Sequence, residues 1–587
     1  MGSARQETGL GFRQQRQRCI SGCSMQVQTT RRSRSVIRRL SLNALVLIAS
    51  LLVVLALAPI AAAQRPPVSP VDPEPERKVQ TITILTMTPE YSRDRYEAAY
   101  LVQEALALLG VDSVVRPMDQ AVLLNRVRSE PFDFDAYFMA WGNAPERIDP
   151  QLFTYSMFHS SEVKHLGNNR QGYISEEYDR IAEVARQSLD PEVRRQYVFQ
   201  LQELVARDVP VLPLYYEDEW NAYNKERLEG VVVQGGIGIW NYHTFVNVRV
   251  KYGENVVRIA HRQDNDVLNP VYASIFTDTQ ILSLIYDYLV RLGPDNEPVP
   301  SAAESWTVVD DVTVDVRLKP GQQWHDGRPV TVEDVKFTFD YGLKHTFGKN
   351  DTYIRPVKEV QILDENTVRF ILHEPTGFFI TGTLTAIPIL PKHIWENVDD
   401  PLNWNNPHPI GSGPFKFTYW RRGEEIRLDR HAAYHTPANI EAIIQVPFAN
   451  PDAIIGALEL KQVDMINPSL TPQQIELARR IPHVEVTRTP GVGWNYFSYN
   501  HRRKPFSDLA FRQAMAHVID PVLIADIVTA GTKTPAGAGH IVSPAAAYWY
   551  NPDVPQYEIS LERAYQILKE AGYEWDRNGK LYYPKEQ

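Results

Sequence analysis

Cysteine is almost missing from this sequence: the only two, Cys19 and Cys23, stand before an apolar segment that begins at Leu42. Two ligands at C-x3-C spacing do not make a structural zinc site. The body that follows has no thiol for a disulfide or a nucleophile. Basic charge is also scarce. Residues 1–63 hold nine Arg and one Glu, which leaves 52 basic against 70 acidic side chains for the rest. Such a body lacks the clustered Lys and Arg that displace counterions from nucleic acid, so no nucleic-acid partner is expected. No G-x-x-x-x-G-K-[ST] and no strand-linked G-x-G-x-x-G occurs, so no nucleotide is implied. The esterase elbow G-x-S-x-G is absent; Gly411-Ser412-Gly413 has the wrong spacing and reads as a tight turn. His325-Asp326 has no companion serine or cysteine motif. Asp576-x-Asn578-Gly579 starts like a calcium loop, but Lys580 and Gln587 fall where oxygen ligands belong. Asp133 and Asp135 alternate on a strand, with nothing to raise a carboxyl pKa. These readings give no cofactor, no metal and no catalytic residue, and they disfavour a secreted hydrolase.

What is present is globular: 43% hydrophobic, 10% aromatic and 22% charged over 587 residues, enough for two or more lobes. Arg31, Arg32, Arg34, Arg38 and Arg39 precede the apolar run Leu42 to Ile60, and Ala61-Ala62-Ala63-Gln64 follows. That is the order of a secretory signal, cut after Ala63, with Met25 as the natural start. The run approaches the ~20 residues that span a bilayer, so an uncleaved anchor is the alternative. Residues 64–78, with Pro66, Pro67, Pro70, Pro73 and Pro75, read as a stiff spacer that does not pack.

Strand and helix signals then alternate, as in an α/β layer. Strands are expected at 80–87, 111–115, 134–141 and 211–216, with helices over 93–109, 121–127 and 176–206. The stretch 216–242 supplies Tyr216, Trp220, Tyr223, Trp240 and Tyr242. Asn247 to Ala260 reads as strand, turn and strand around Gly253, an ordinary hairpin. A helix is expected over 279–290, a hairpin over 307–318, and a helix start at Thr331 with Asp334 in the capping-box position. Later come helices over 450–460, 508–519 and 561–571, and an aromatic strand over 493–500.

The run Trp324-His325-Asp326-Gly327-Arg328-Pro329-Val330-Thr331-Val332-Glu333-Asp334-Val335 resembles the family 5 extracellular solute-binding proteins, the oligopeptide-, dipeptide- and nickel-binding components of ABC importers. Leu268-Asn269-Pro270, Gly411-Ser412-Gly413-Pro414-Phe415, Pro505-Phe506-Ser507-Asp508 with Arg512-Gln513-Ala514, and Phe134-Asp135-Ala136 through Trp141 resemble other stretches of that family. The order is exchanged: the family's first segment resembles 254–584, and its second resembles 79–250. The resemblance therefore implies a circularly permuted α/β protein with the two-lobed, type II (Venus-flytrap) periplasmic-binding-protein fold. A rearranged gene is the competing reading. The implied division is a signal peptide or anchor at 1–63, a linker at 64–78, the second part of lobe II at 79–215, a return to lobe I at 216–253, lobe I at 254–492 and the first part of lobe II at 493–587. Val79 and Gln587 should then emerge side by side.

The implied function is extracytoplasmic delivery of a small peptide or other small-molecule ligand to an ABC importer permease. The protein would work as a monomer, in the periplasm or at the cell surface, by closing its lobes about a hinge near 492–500 and 212–223. Trp141, Phe276, Trp494 and Tyr496 are the candidate apolar walls, and Asn143, Glu146 and Asn495 the candidate polar contacts. Peptide-binding relatives place an Asp soon after the strand-ending Trp, to meet the ligand's α-ammonium group. Ala144 stands there in this chain, with Glu146 as the candidate replacement. Without a counter-charge the ligand is a peptide held differently, or an oligosaccharide or another non-peptide solute. A membrane-tethered receptor without transport is a further alternative.

Overall fold

Apolar strands of two kinds collect into two large sheets. The computed structural model describes residues 66–587 apart from 70–72, 144–146, 263, 274, 275, 346, 449, 451, 452, 468, 586 and 587. The signal or anchor segment, both cysteines and Gln587 lie outside the described residues. Among those described, no helix is long and apolar enough to cross a membrane.

The first sheet has five strands in the order Ser113–Met118, Ile82–Met87, Ala136–Ala140, Trp494–Tyr499, Val211–Tyr216. The first three are mutually parallel, and Trp494–Tyr499 runs antiparallel to both its neighbours, with Phe497 opposite Phe138 and Leu212. Helices cover both faces, so this strand has no solvent side. Phe497 and Tyr499 enter one core, while Trp494 and Tyr496 enter another with Tyr137 and Met139. The covering helices start where the sequence caps them. Ser175 accepts from the Tyr178 N–H, and Asp190, followed by Pro191, accepts from the Glu192 and Val193 N–H groups.

The second sheet has seven strands in the order Phe415–Arg421, Glu425–Arg430, Ala442–Pro447, Val256–His261, Met465–Ile466, Glu219–Asn224, Val484–Thr489. Beside it, Ala303–Asp310, Thr313–Leu318, Thr367–Leu372 and Val357–Ile362 make an antiparallel four-stranded sheet, which includes the hairpin expected over 307–318. The helix Val332–Lys344 carries the capping box, with the Thr331 N–H donating to Asp334 Oδ2 at 2.9 Å. The result is a two-lobed α/β protein.

Two expectations fail. Asn247 to Ala260 is not a hairpin: Arg249–Val250 pairs with Leu228–Glu229, whereas Val256–His261 lies between two parallel partners at the centre of the seven-stranded sheet. Val256–His261 is buried on both faces, the pattern of a central parallel strand rather than a half-buried hairpin arm. Gly253 does turn the chain, at φ +80°. The proline-rich segment also packs. Ser69 N–H donates to Trp575 O at 2.8 Å, and Arg77 Nη2 reaches Glu574 and the Tyr583 carbonyl. Proline removes donors only at its own position, and the residues between retain theirs.

The segment near 79 meets the segment near 581 directly. Val79 N–H donates to Leu581 O at 2.9 Å, and Leu581 N–H to Gly110 O at 3.0 Å. Gly110 has φ +88°, and a Cβ there would collide with the Gly579 carbonyl, so glycine is required. Trp575 seals the joint, fully buried, with its Nε1–H donating to Leu109 O at 2.9 Å. Trp575→Ala is expected to lower the unfolding free energy by about 3–5 kcal/mol, read as a reduced urea midpoint at unchanged slope.

Candidate functional site

Among the described residues the backbone passes between the two large sheets at 217–218 and at 490–493. These crossings touch: the Glu217 N–H donates to Gly493 O at 2.9 Å. Asn143, in the loop after the strand Ala136–Ala140, holds both. Its Nδ2 donates to Glu217 O and to Glu219 Oε1 at 2.7 Å, and its Oδ1 accepts from the Gly493 N–H at 2.9 Å. The approach leaves no room for side chains, since a Cβ at Gly491 or Gly493 would strike the carbonyl of Glu217 or Trp141. Three consecutive acids fix the first crossing to different segments. Glu217 accepts from Asn495 Nδ2 and pairs with Lys533. Asp218 accepts from Arg488 Nε at 2.6 Å and Thr534 Oγ1 at 2.7 Å, and Glu219 takes Asn143. Burial raises the pKa of Asp218 and of Glu219, and these partners offset only part of it.

Between the lobes lies a cavity of about 720 Å³, within the usual range for ligand pockets of about 300–1,000 Å³. The five-stranded lobe contributes Asn143, Ile148 and Asp149. The other lobe contributes the rest, including Trp240, Tyr242, Gln280, Tyr288, Arg291 and Tyr353. The helix Phe276–Ile285 sets Gln280 on the wall, and the π-helical turn Phe379–Thr383 sets Thr381 there.

Two charged groups line the cavity among the described residues, and each is already paired. Asp149 takes a two-pronged contact from Arg194, at 2.6 and 2.7 Å, plus the Thr381 hydroxyl at 2.7 Å. Arg194 Nη1 also donates to Gly377 O at 3.2 Å, and its guanidinium lies over the Trp549 ring. Thr381 and Gly377 belong to the opposite lobe, so this ion pair fastens one lobe to the other. Burial pushes the Asp149 carboxyl up, but the Arg194 charge and these hydrogen bonds outweigh it and hold the pKa below the ordinary range. Arg291 bonds Asp287 at 3.1 Å and stacks on the rings of Tyr242 and Tyr288. Burial again opposes the charge on Asp287, yet Arg291 and His435 bring its pKa down to about 2.

A family model described as bacterial extracellular solute-binding proteins, family 5 middle, matches residues 297–587. Over these residues the chain is similar to the family 5 extracellular solute-binding proteins. It is 27% identical over 323 residues to the oligopeptide-binding protein AppA of Bacillus subtilis, an alignment covering 53% of this chain and 58% of AppA. It is 28% identical over 320 residues to the dipeptide-binding protein of Escherichia coli K12, covering 49% and 58%. The glutathione-binding protein GsiB of Shigella flexneri is 25% identical over 334 residues, covering 56% and 62%. The chain thus spans about three fifths of the length of these curated relatives. Among solved structures, AppA of Bacillus subtilis in complex with a nonapeptide aligns with TM-score 0.39 and 24% identity, over 55% of this chain and 65% of that one. HbpA2 of Haemophilus parasuis gives 0.44 and 21%, over 54% and 67%.

The residues expected at the site divide. Asn143 lines the cavity, but it spends its amide on the crossings. Trp141 does not line it. Its ring lies between the guanidiniums of Arg147 and Arg170, 5.4 and 5.1 Å away, and edge-on to Phe153. Trp494, Asn495 and Tyr496 are fully buried in the five-stranded sheet, where helices on both faces leave them no path to the cavity. Phe276 opens a helix beside the cavity wall, with its side chain outside the described residues; Glu146 lies outside them altogether. Sequence reasoning missed Asp149, Arg194, Gln280, Tyr288 and Arg291. Trp240 and Tyr242 were visible only as part of an aromatic cluster.

Arg194→Met leaves Asp149 buried without its counter-charge and is expected to cost about 3–5 kcal/mol in urea unfolding. Adding Asp149→Leu should recover most of that loss. Because the folded pKa of Asp149 is depressed, its contribution is complete above about pH 4 and is lost as pH falls further. Unfolding of the wild type should therefore steepen with acid below that point more than unfolding of the double variant.

Proposed function

We propose that this protein is an extracytoplasmic solute-binding protein, which captures a peptide-class ligand between its lobes and presents the closed form to an ABC importer permease. The observation that carries the reading is a ligand-sized cavity walled by two lobes that are joined by two touching crossings. That geometry allows one hinge motion to bury a solute. The family match over 297–587 and the relatives that bind oligopeptides, dipeptides and glutathione support the same reading. The protein binds and releases without turnover, outside the cytoplasmic membrane, after its leader has been cut or retained as an anchor. Asn143, Glu146 and Phe276 are its candidate contributors to ligand fit, Asn143 by setting the hinge that closes on the solute.

The order of the lobe segments is read as a circular permutation, supported by the bond from Val79 to Leu581. A chain rebuilt as 254–587 joined to 79–250 is expected to melt in one transition with the same ligand response; two transitions, or none, would refute the permutation. For the function itself, a solute that binds only the folded state at about 100 times its Kd stabilises by about 2.7 kcal/mol. A differential scanning fluorimetry panel of peptides and other small solutes should contain such a ligand. X-ray scattering should then show a smaller radius of gyration with the ligand than without it. Hydrolysis of the stabilising solute by pure protein would sink the reading.

A further inference from the structure

The lobes also touch at a corner that takes no part in the crossings. The helices Glu176–Gln187 and Pro191–Asp208 of the five-stranded lobe are joined by a short turn at 188–190. Leu189, in that turn, is 3% exposed, and the core it enters is that of the other lobe. Of the buried residues in that core, Leu189 alone comes from the five-stranded lobe. Its apolar surface is removed from water by the meeting of the lobes, not by the folding of its own.

Polar contacts flank the leucine. A helix end leaves its last carbonyls without an internal donor. Here the Arg186 carbonyl accepts from the Gly377 N–H of the opposite lobe at 2.6 Å. A Cβ at Gly377 would lie 2.7–2.9 Å from the carbonyl oxygens of Ala185, Arg186 and Ser188, so the fit leaves no room for a side chain. The Gly377 carbonyl accepts in turn from Arg194 Nη1 at 3.2 Å. Arg194 is set for this on its own lobe, where Asp149 and the Trp549 ring hold its guanidinium. The pair of Arg186 with Glu374, at 3.6 Å, is too exposed to add much.

Leu189, Arg186 and Gly377 do not line the cavity, so their contacts need nothing bound inside it. They are also separate from the seam beside the hinge. There Tyr548 N–H donates to Asp295 O at 3.1 Å, and Ala545 packs with Val492 of the second crossing. Contacts beside a pivot move least when a lobe turns, whereas the corner must part.

We propose that this corner is a ligand-independent clasp: Leu189 and the Arg186–Gly377 bond close the lobes over an empty cavity in a fraction of molecules, and a solute is retained by that closed population. Leu189 and Gly377 are then positioning residues, which touch no solute and act through the closed arrangement. This rests on the solute-binding reading above and adds a source of closure other than the ligand.

The test needs no ligand. All native cysteines precede residue 24, so the full chain with Cys19→Ser and Cys23→Ser accepts spin labels at two new cysteines alone. Val122→Cys on the five-stranded lobe and Val309→Cys on the four-stranded sheet are exposed sites. Pulsed electron double resonance on this parent should place about one ligand-free molecule in ten or more at the lobe-to-lobe distance of the present arrangement. Gly377→Ala and Leu189→Ser should each lower the closed-to-open ratio at least about tenfold, and Leu189→Met should keep it near the parent value. Circular dichroism checks that each variant is folded. Should Leu189→Ser fail that check, Gly377→Ala decides, because the atoms nearest its added methyl belong to the other lobe. A ligand-free parent without the closed distance overturns the clasp, as does an undiminished closed ratio in Gly377→Ala. Either result leaves solute binding standing if a solute of the fluorimetry panel still brings the labels together. One distance shared by parent and variants, with and without the panel, sinks the clasp and the solute-binding reading together.

Discussion

The structure depends on how closely two crossings can lie. One carboxamide, that of Asn143, reaches the carbonyl of Glu217, the carboxylate of Glu219 and the amide of Gly493 together. Two connections held side by side define an axis, whereas well-separated connections would resist rotation. The glycines at 491 and 493 permit the contact, and the acids at 217, 218 and 219 distribute it among Lys533, Arg488, Thr534 and the loop of Asn143. A lobe turning about this axis keeps its own sheet intact, because each sheet is completed by strands that end before the crossing begins.

Away from the axis, the lobes meet through chemistry that is costly to assemble. Arg194 is buried and Asp149 is mostly so, and their pairing offsets desolvation together with the additional bonds from Thr381 and to Gly377. All four groups converge in this arrangement, which ties the two lobes together away from the crossings. The same pairing sets the character of the cavity. Carboxylate and guanidinium turn toward each other, beside a described wall that includes the rings of Trp240, Tyr242, Tyr288 and Tyr353.

Much of the fold was legible along the chain because its signals are local. The capping box at Thr331 and Asp334, the strand Ile82–Met87 and the hairpin around 310–313 each depend on neighbours within a few residues. Val256–His261 was misjudged since its partners, Ala442–Pro447 and Met465–Ile466, lie about two hundred residues away. The aromatic strand Trp494–Tyr499 looked like a binding wall, but aromatic density cannot distinguish a doubly covered strand from one that borders a cleft. The cavity was the least legible part. Its wall draws on segments near 148, 240, 280, 350 and 385, and Asp149 and Gln280 bear no motif in their own surroundings.

The docking of the proline-rich segment has a mechanical consequence. Ser69 and Arg77 are stitched to Trp575, Glu574 and Tyr583, all on the lobe of the five-stranded sheet. A tether continuing from Pro66 would therefore grip that lobe alone, as a handle grips one jaw of a pair of tongs. The seven-stranded lobe would be the jaw that swings, and tension on the tether would not pull across the mouth.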